Sequence, residues 1–209
     1  MVHDTLLTLA KRVQSIADVG LLYSGHNPYD KERYEELQSI ALELMHALTN
    51  TPLPALREAF PPVRDYPTAK VDIRGLALSP EGDVLLVKES ADGRWSLPGG
   101  WADIGYTPKE TVVKEFREET GFEVIPVRLL AVFDKKMHPH PPQAHYVYKM
   151  VFLCQITGGA VHQAFDVQEV KFFAPAALPA DFSEDRILRQ QIDLLVQLAK
   201  DGTAMPYCD

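Results

Sequence analysis

The chain is poor in cysteine, has no long apolar run and carries no surplus of positive charge. Each absence narrows what it can be. Only Cys154 and Cys208 occur among 209 residues, with no framework spacing between them. A disulfide scaffold is therefore excluded, and free thiols in a reducing compartment are expected. No apolar stretch approaches the roughly 20 residues that span a bilayer. Acidic and polar residues interrupt Met1 to Asp18, where a secretory signal would need an apolar core. The expectation is a cytoplasmic protein with no membrane partner. A net charge of −8 supplies no global basic field for nucleic acid or an acidic lipid surface. A polyanionic substrate would need local cations, either a metal or a few placed Lys and Arg. There is no internal repeat and no low-complexity tract.

What is present suits one medium domain with a small companion, and 46% hydrophobic residues are enough for a core. Near the start, Leu6, Leu9, Val13, Ile16 and Ala17 recur at helical spacing, with Gly20 just past the pattern. After a turn-rich stretch from Tyr23 to Pro28, a second helix is expected from about Asp30. It places Tyr34, Leu37, Ile40, Ala41, Leu44, Met45 and Leu48 on one stripe. Two such helices bury too little to stand alone, so they must pack on the rest of the chain or on another subunit. Pro52, Pro54, Pro61, Pro62 and Pro67 then mark a stiff linker with a short helix at Ala55 to Phe60. The division expected is an N-terminal helical domain and linker over 1–66 and a second domain over 67–209.

From Ala69 the texture changes to strands, at Val71–Leu78, Asp83–Val87, Phe122–Val132, His145–Ile156 and Val170–Phe173. A hairpin turn at Pro80–Gly82 is expected to join the first two. A last helix is expected from near Ser183, carrying Ile187, Leu188, Ile192, Leu195 and Leu198 and stopped by Gly202. Strands, helix, strands, helix reads as an α+β fold or mixed-sheet sandwich.

The chemistry is concentrated between Gly100 and Phe122. Thr107 is an N-cap, Pro108 suits the first helical position, Glu110 completes a capping box, and Gly121 stops the helix. Val112, Val113 and Phe116 form its apolar side. Glu115, Glu118 and Glu119, at i, i+3 and i+4, span an arc of about 100° near the C-terminal end. The macrodipole disfavours anions there, and like charges at this spacing repel. A divalent cation would compensate. Oxygen ligands without Cys or His favour Mg²⁺ or Mn²⁺ over Zn²⁺. Upstream, Pro98-Gly99-Gly100 lets backbone approach a ligand closely. The plain alternative is a solvated charged face with Lys114 and Arg117 as intrahelical partners.

Gly100, Glu115, Phe116, Glu118, Glu119, Gly121 and Phe122 stand in one frame that resembles the Nudix box. Two positions depart from it: Tyr106 stands where the box has its first Glu, and Lys114 where it has Arg. A facing Glu and Arg can be replaced together, and Lys keeps the charge but loses the bidentate fork. The stretch from Trp95 to Tyr106, the N-terminal helix pair around Tyr29 to Glu36, and Ser183 to Arg186 resemble the Nudix subgroup with an N-terminal helical extension. That subgroup includes CDP-choline pyrophosphatase and enzymes acting on ADP-ribose.

The resemblance implies an α/β/α sandwich with a mixed sheet, preceded by a small N-terminal helical domain, and a homodimer in which the extension takes part. It implies Glu115 and Glu119 as metal ligands, Glu118 as a further ligand or holder of a metal-bound water, and the Gly99 carbonyl as another ligand. It implies Mg²⁺- or Mn²⁺-dependent hydrolysis of an X-linked nucleoside diphosphate, foremost CDP-choline to CMP and phosphocholine. ADP-ribose pyrophosphatase, an RNA-end nuclease and a non-hydrolysing nucleotide sensor are the alternatives. The general base is a box carboxylate, Glu118, or a downstream acid, with Asp166 and Glu169 the candidates there. Glu169 reads equally as a surface acid flanking an edge strand. Arg74 is a phosphate clamp or a surface ion pair with Asp72. Lys88 and Trp95 precede the glycines, and Trp95 either packs or stacks on a base. His138 and His140, in the loop from Asp134 to His145, are candidates for phosphate or base contact. His145 reads as the structural start of a strand.

Overall fold

A computed structural model describes residues 2–23, 25, 27–162 and 164–209, with side chains from Thr5 onward. Ser24 and His26 of the turn-rich stretch lie outside the described residues. The chain divides into two compact units, Met1–Ala69 with Pro141–Tyr146, and Lys70–His140 with Val147–Asp209.

The first unit holds α1 (Val2–Tyr23), α2 (Pro28–Thr49) and α3 (Leu53–Ala59). Asn27 caps α2 by accepting from Tyr29 N–H at 3.1 Å, and Asn50 ends it in a left-handed conformation. Leu7, Ala10, Leu42, Met45 and Leu56 form the core. The buried face of α1 is therefore shifted from the expected stripe: Leu6, Leu9 and Ile16 are exposed, and Ile40 and Leu44 of α2 are too. Apolar residues surround both helices, and periodicity alone cannot say which arc turns inward. Gly20 lies inside α1 and does not end it. Its lack of a side chain admits the Tyr34 ring, since a Cβ there would stand 2.3 Å from Tyr34 Cε1. His145 does not begin a strand. Its ring meets Phe60 at 5.1 Å between centroids, and its carbonyl accepts from Lys11 Nζ at 3.0 Å.

The second unit is layered. One sheet joins β1 (Lys70–Ala77), β4 (Gly99–Trp101), β5 (Phe122–Asp134), β6 (Val147–Gly159) and β8 (Tyr207–Cys208) in the order β4-β1-β6-β5-β8. It is mixed: β1 and β6 run parallel, β5 and β6 antiparallel. A second, antiparallel sheet has the order β3-β2-β7, formed by β2 (Val84–Glu89), β3 (Trp95–Ser96) and β7 (Val167–Phe173). The expected turn at Pro80–Gly82 is present, with Gly82 N–H donating to Ser79 O at 2.9 Å. It does not make a continuous hairpin, because only an isolated Leu78–Val84 bridge links the two strands before they enter different sheets.

Alternation along β1 sends Ile73 and Ala77 into one core and Leu76 into the other. The first core is closed by α4 (Pro108–Thr120) through Val112 and Phe116, the second by α5 (Arg189–Lys200) through Ile192, Leu195 and Val196. The result is the α/β/α sandwich with a mixed sheet. The last helix begins six residues later than expected from Ser183, because residues 183–188 form a turn in which Arg186 and Ile187 N–H both donate to Ser183 O. Among the described residues, no helix is long and apolar enough to cross a membrane.

Candidate active site

The site is built on α4. Thr107 accepts from Glu110 N–H, and the Glu110 carboxylate accepts in return from Thr107 N–H at 2.8 Å, completing the capping box. Gly121 ends the helix at φ 78°. Gly75 lets it sit close to the sheet, since a Cβ there would lie 2.3 Å from Phe116 Cε2. That seating carries the C-terminal turn of α4 over Gly99 and Gly100.

Glu119 is buried, and its Oε2 accepts from Gly99 N–H at 2.8 Å. Burial pushes its carboxyl up to about 8, against the pull of Arg74 and the Gly99 N–H; Glu89 and Glu115 add to the rise. Glu115 lies against Gly100, where a Cβ would fall 2.7 Å from its Oε1. Burial raises this carboxyl too, opposed by Lys114 and Arg74. Glu118 does not join them. It is exposed, and its Oε2 stands 3.7 Å from Lys114 Nζ. Lys114 in turn bonds Asp103 Oδ2 at 2.7 Å. At Gly99 the observed contact is made by the N–H, at φ 142°.

Among the described residues, no three His, Cys, Asp or Glu side chains are gathered closely enough to hold a metal. Mg²⁺-type ions keep several waters and bind through one or two carboxylates plus substrate phosphates. The half-buried carboxylate of Glu115 and the buried one of Glu119 fit that requirement, since a cation would offset the burial that raises both carboxyls.

Arg74 is not a surface ion pair. It is buried, with Nε donating to Asp72 Oδ1 at 3.0 Å and Nη1 to Leu97 O at 3.0 Å. Asp72 also accepts from the buried Lys149 Nζ, its neighbour on β6. Burial alone would raise Asp72, but Arg74 and Lys149 outweigh it and hold the carboxyl below its ordinary value. Burial pulls Lys149 down despite Asp72. Glu89 Oε1 stands 3.7 Å from Arg74 Nη1 and 3.0 Å from Arg186 Nε.

The remaining candidates are scattered. Trp95 is buried edge-on to Phe173, 4.7 Å between centroids, so a base-stacking role is corrected to core packing. Lys88 lies 5.9 Å over that same ring. Glu169 is exposed on the edge strand β7 opposite Lys88, and among the described residues no hydrogen bond or ion pair joins it to α4. Asp166 accepts from Ser90 N–H through its backbone carbonyl at 2.8 Å. His138 Nε2 pairs with Asp209 Oδ2 at 2.9 Å. His140 is buried, with Nδ1 on Glu184 O at 2.5 Å, and burial pushes it down to about 3, so the ring is neutral.

Sequence reasoning missed Lys149, Glu89 and Arg186. The first had a signal, an ammonium in the otherwise apolar run from Val147 to Cys154. Glu89 had none, because its partners lie far along the chain, and Arg186 stood in the Ser183–Arg186 stretch that carried the subgroup resemblance but was given no role there.

Comparison with known proteins agrees with this geometry. Residues 69–193 match the NUDIX domain family, and residues 4–60 match the family described as "UDP-X-like, N-terminal oligomerisation domain". The chain is 39% identical over 194 residues to the Bacillus subtilis protein named "Putative ADP-ribose pyrophosphatase YjhB", covering 93% of this chain and 92% of that protein. A crystal structure of a UDP-X diphosphatase superimposes with a TM-score of 0.64 at 33% identity, over 99% of both chains. An ADP-ribose pyrophosphatase from Streptococcus suis superimposes at 0.62 with 32% identity, over 68% of this chain and all 100% of that one. The capped helix with its carboxylates over Gly99–Gly100, and a helical unit ahead of it, thus place the chain in the Nudix hydrolase family, in the group that carries the UDP-X-like N-terminal domain.

Proposed function

We propose that the protein hydrolyses the pyrophosphate bond of an X-linked nucleoside diphosphate with Mg²⁺ or Mn²⁺. The observation that carries this reading is the pair of carboxylates, half-buried Glu115 and buried Glu119, held against Gly100 and Gly99 in the Nudix frame. Nudix hydrolases generally use divalent metal ions. The bound metal would neutralise diphosphate charge and lower the pKa of a water. Glu115 and Glu119 would hold it, with the Gly99 carbonyl as the proposed backbone ligand. Glu118, next to Glu119 and open to solvent, accepts the proton of the attacking water, with Glu169 the alternative acceptor. The names of the relatives put ADP-ribose and UDP-linked compounds beside CDP-choline as substrates to test.

The same proposal includes a homodimer and a cytoplasmic setting. The description of the 4–60 family as an oligomerisation domain and the exposed Leu6, Leu9, Ile16, Ile40 and Leu44 support the dimer. We also keep the division at 66/67 as the working boundary. Sedimentation of the full chain tests the dimer, and a monomer at micromolar concentration overturns it.

The test of activity is product analysis across ADP-ribose, UDP-glucose, CDP-choline, CDP-ethanolamine, dinucleoside polyphosphates and 5′-triphosphate RNA, with Mg²⁺, Mn²⁺ or EDTA. Turnover of an X-linked nucleoside diphosphate that EDTA abolishes, and that Glu119→Gln loses, supports the reading. Binding without turnover overturns it in favour of a nucleotide sensor.

A further inference from the structure

A chain of net charge −8 must gather local cations to hold a diphosphate. Three cations are linked near the α4 carboxylates, and they are not equivalent. Arg74 and Lys149 are almost wholly buried and committed to Asp72. Arg186 keeps 28% of its side chain exposed. It shares one acceptor atom with Arg74: Glu89 Oε1 lies 3.0 Å from Arg186 Nε and 3.7 Å from Arg74 Nη1. Arg74 in turn is among the charges that act on Glu119.

The position of Arg186 is set by backbone. The turn that carries it is annealed to β3: Trp95 N–H donates to Asp181 O at 3.0 Å, and Ser183 N–H donates to Trp95 O at 2.8 Å. Within three residues of Ser96, the same strand leads into Gly99. The side chain is anchored on one edge. Nη1 donates to Ser183 Oγ at 2.9 Å and stands 3.5 Å from Asp92 Oδ2, which itself accepts from Ser183 Oγ at 2.7 Å. Nη2 takes no part in these bonds. Glu89 Oε1 is buried and, despite two flanking guanidinium groups, accepts no well-angled hydrogen bond. The arrangement holds a guanidinium in place without saturating it.

We propose that Arg186 is a substrate-binding residue, whose Nη2, outside these anchoring bonds, donates to the diphosphate of the substrate. A guanidinium can keep Nε and Nη1 on their anchors and still donate from a third nitrogen, which the compact ammonium of Lys cannot do in the same geometry. Pre-anchoring by Glu89, Asp92 and Ser183 lowers the ordering cost of binding. The inference rests on the pyrophosphatase reading above.

The experiment uses the full chain with Arg186→Ala and Arg186→Lys. Two readouts are taken: KM and kcat on whichever X-linked nucleoside diphosphate the wild type turns over, and calorimetric binding of methylenediphosphonate with Mg²⁺. Arg186→Ala is expected to raise KM at least tenfold with kcat within threefold, and to weaken methylenediphosphonate binding at least tenfold. Arg186→Lys is expected to fall between. A structural residue would instead lower the melting temperature and leave KM and diphosphate binding unmoved. If Arg186→Ala does not fold, Arg186→Lys decides: wild-type KM and binding in that variant overturn the proposal. If the wild type turns over no X-linked nucleoside diphosphate, the activity reading fails separately. Binding of methylenediphosphonate that depends on Arg186 then still supports the contact, and wild-type failure to bind it overturns the contact.

Discussion

Lys114 Nζ lies 5.6 Å over the ring centroid of Tyr106, so the two positions at which this chain departs from the usual Nudix pattern face each other. Lys114 keeps the positive charge of the usual Arg, with the Asp103 carboxylate 2.7 Å away and the negative face of the Tyr106 ring beside it. A double-mutant cycle with Tyr106→Ala and Lys114→Ala, measured by urea unfolding, is expected to give a coupling of about 0.5–1 kcal/mol, typical of exposed cation–π pairs. A coupling indistinguishable from zero would show that the two substitutions are independent.

Glu119 makes the stability of the metal-free protein depend on pH with a definite sign. Its folded value of about 8 lies above the ordinary 4.5, so between those values the folded state holds a proton that the unfolded state has lost. Stability from this group is therefore greatest below the ordinary value, falls as pH rises through the window, and levels off above about 8. The slope approaches at most about 1.4 kcal/mol per pH unit. In EDTA, Glu119→Gln should unfold with a flatter pH profile than the wild type between pH 5 and 8. Parallel profiles would refute the assignment.

Gly99→Ala is expected to abolish the site. The residue sits at φ 142°, and a Cβ would stand 2.1 Å from Ile73 O and 2.8 Å from Arg74 Cα. Neither neighbour can yield, because both are backbone of the adjoining strand. Relief would have to separate β4 from β1 and break the Gly99–Glu119 bond. Loss of a few kcal/mol, by analogy with overpacked cores, should appear as a lower denaturant midpoint together with lost activity. A variant with wild-type midpoint and turnover would contradict this geometry.

The two thiols should differ in reactivity. Burial pushes Cys154 up to about 12, leaving almost no thiolate at neutral pH, whereas Cys208 is exposed near the end of the chain. Titration with a chromogenic disulfide at pH 8 is expected to modify one thiol in the native protein and two in denaturant. Rapid modification of both without denaturant would place Cys154 outside the core.

Breaking the buried charge cluster should cost more than removing a surface ion pair. Arg74→Ala leaves Asp72 with Lys149 alone and strips Glu89 of one of its two guanidinium neighbours. Removing one partner of a buried pair typically costs about 3–5 kcal/mol, against less than about 1 kcal/mol for an exposed pair such as Lys31 with Glu35. Urea unfolding of Arg74→Ala and Lys31→Ala tests the contrast. Equal midpoints would mean that the cluster contributes nothing.

Features that depend on near neighbours in the chain were legible before any coordinates. The capping box of Thr107 and Glu110 and the stop at Gly121 both rest on bonds spanning four residues or fewer. The arc of Glu115, Glu118 and Glu119 could be read for the same reason, since helical geometry converts spacing into direction, whereas their frame with Gly100 was legible through its resemblance to the Nudix box. Contacts between distant segments could not be read. Parallel pairing of β1 with β6 brings Lys149 to Asp72 across 77 residues, and the turn at Ser183 brings Arg186 to Glu89. No periodicity encodes either pairing. Composition likewise could not say which apolar arc of α1 turns inward, that Trp95 is buried, or that Glu118 faces solvent while Glu119 does not. Those outcomes follow from which surfaces pack together, and packing is settled only when the whole chain competes for the same core.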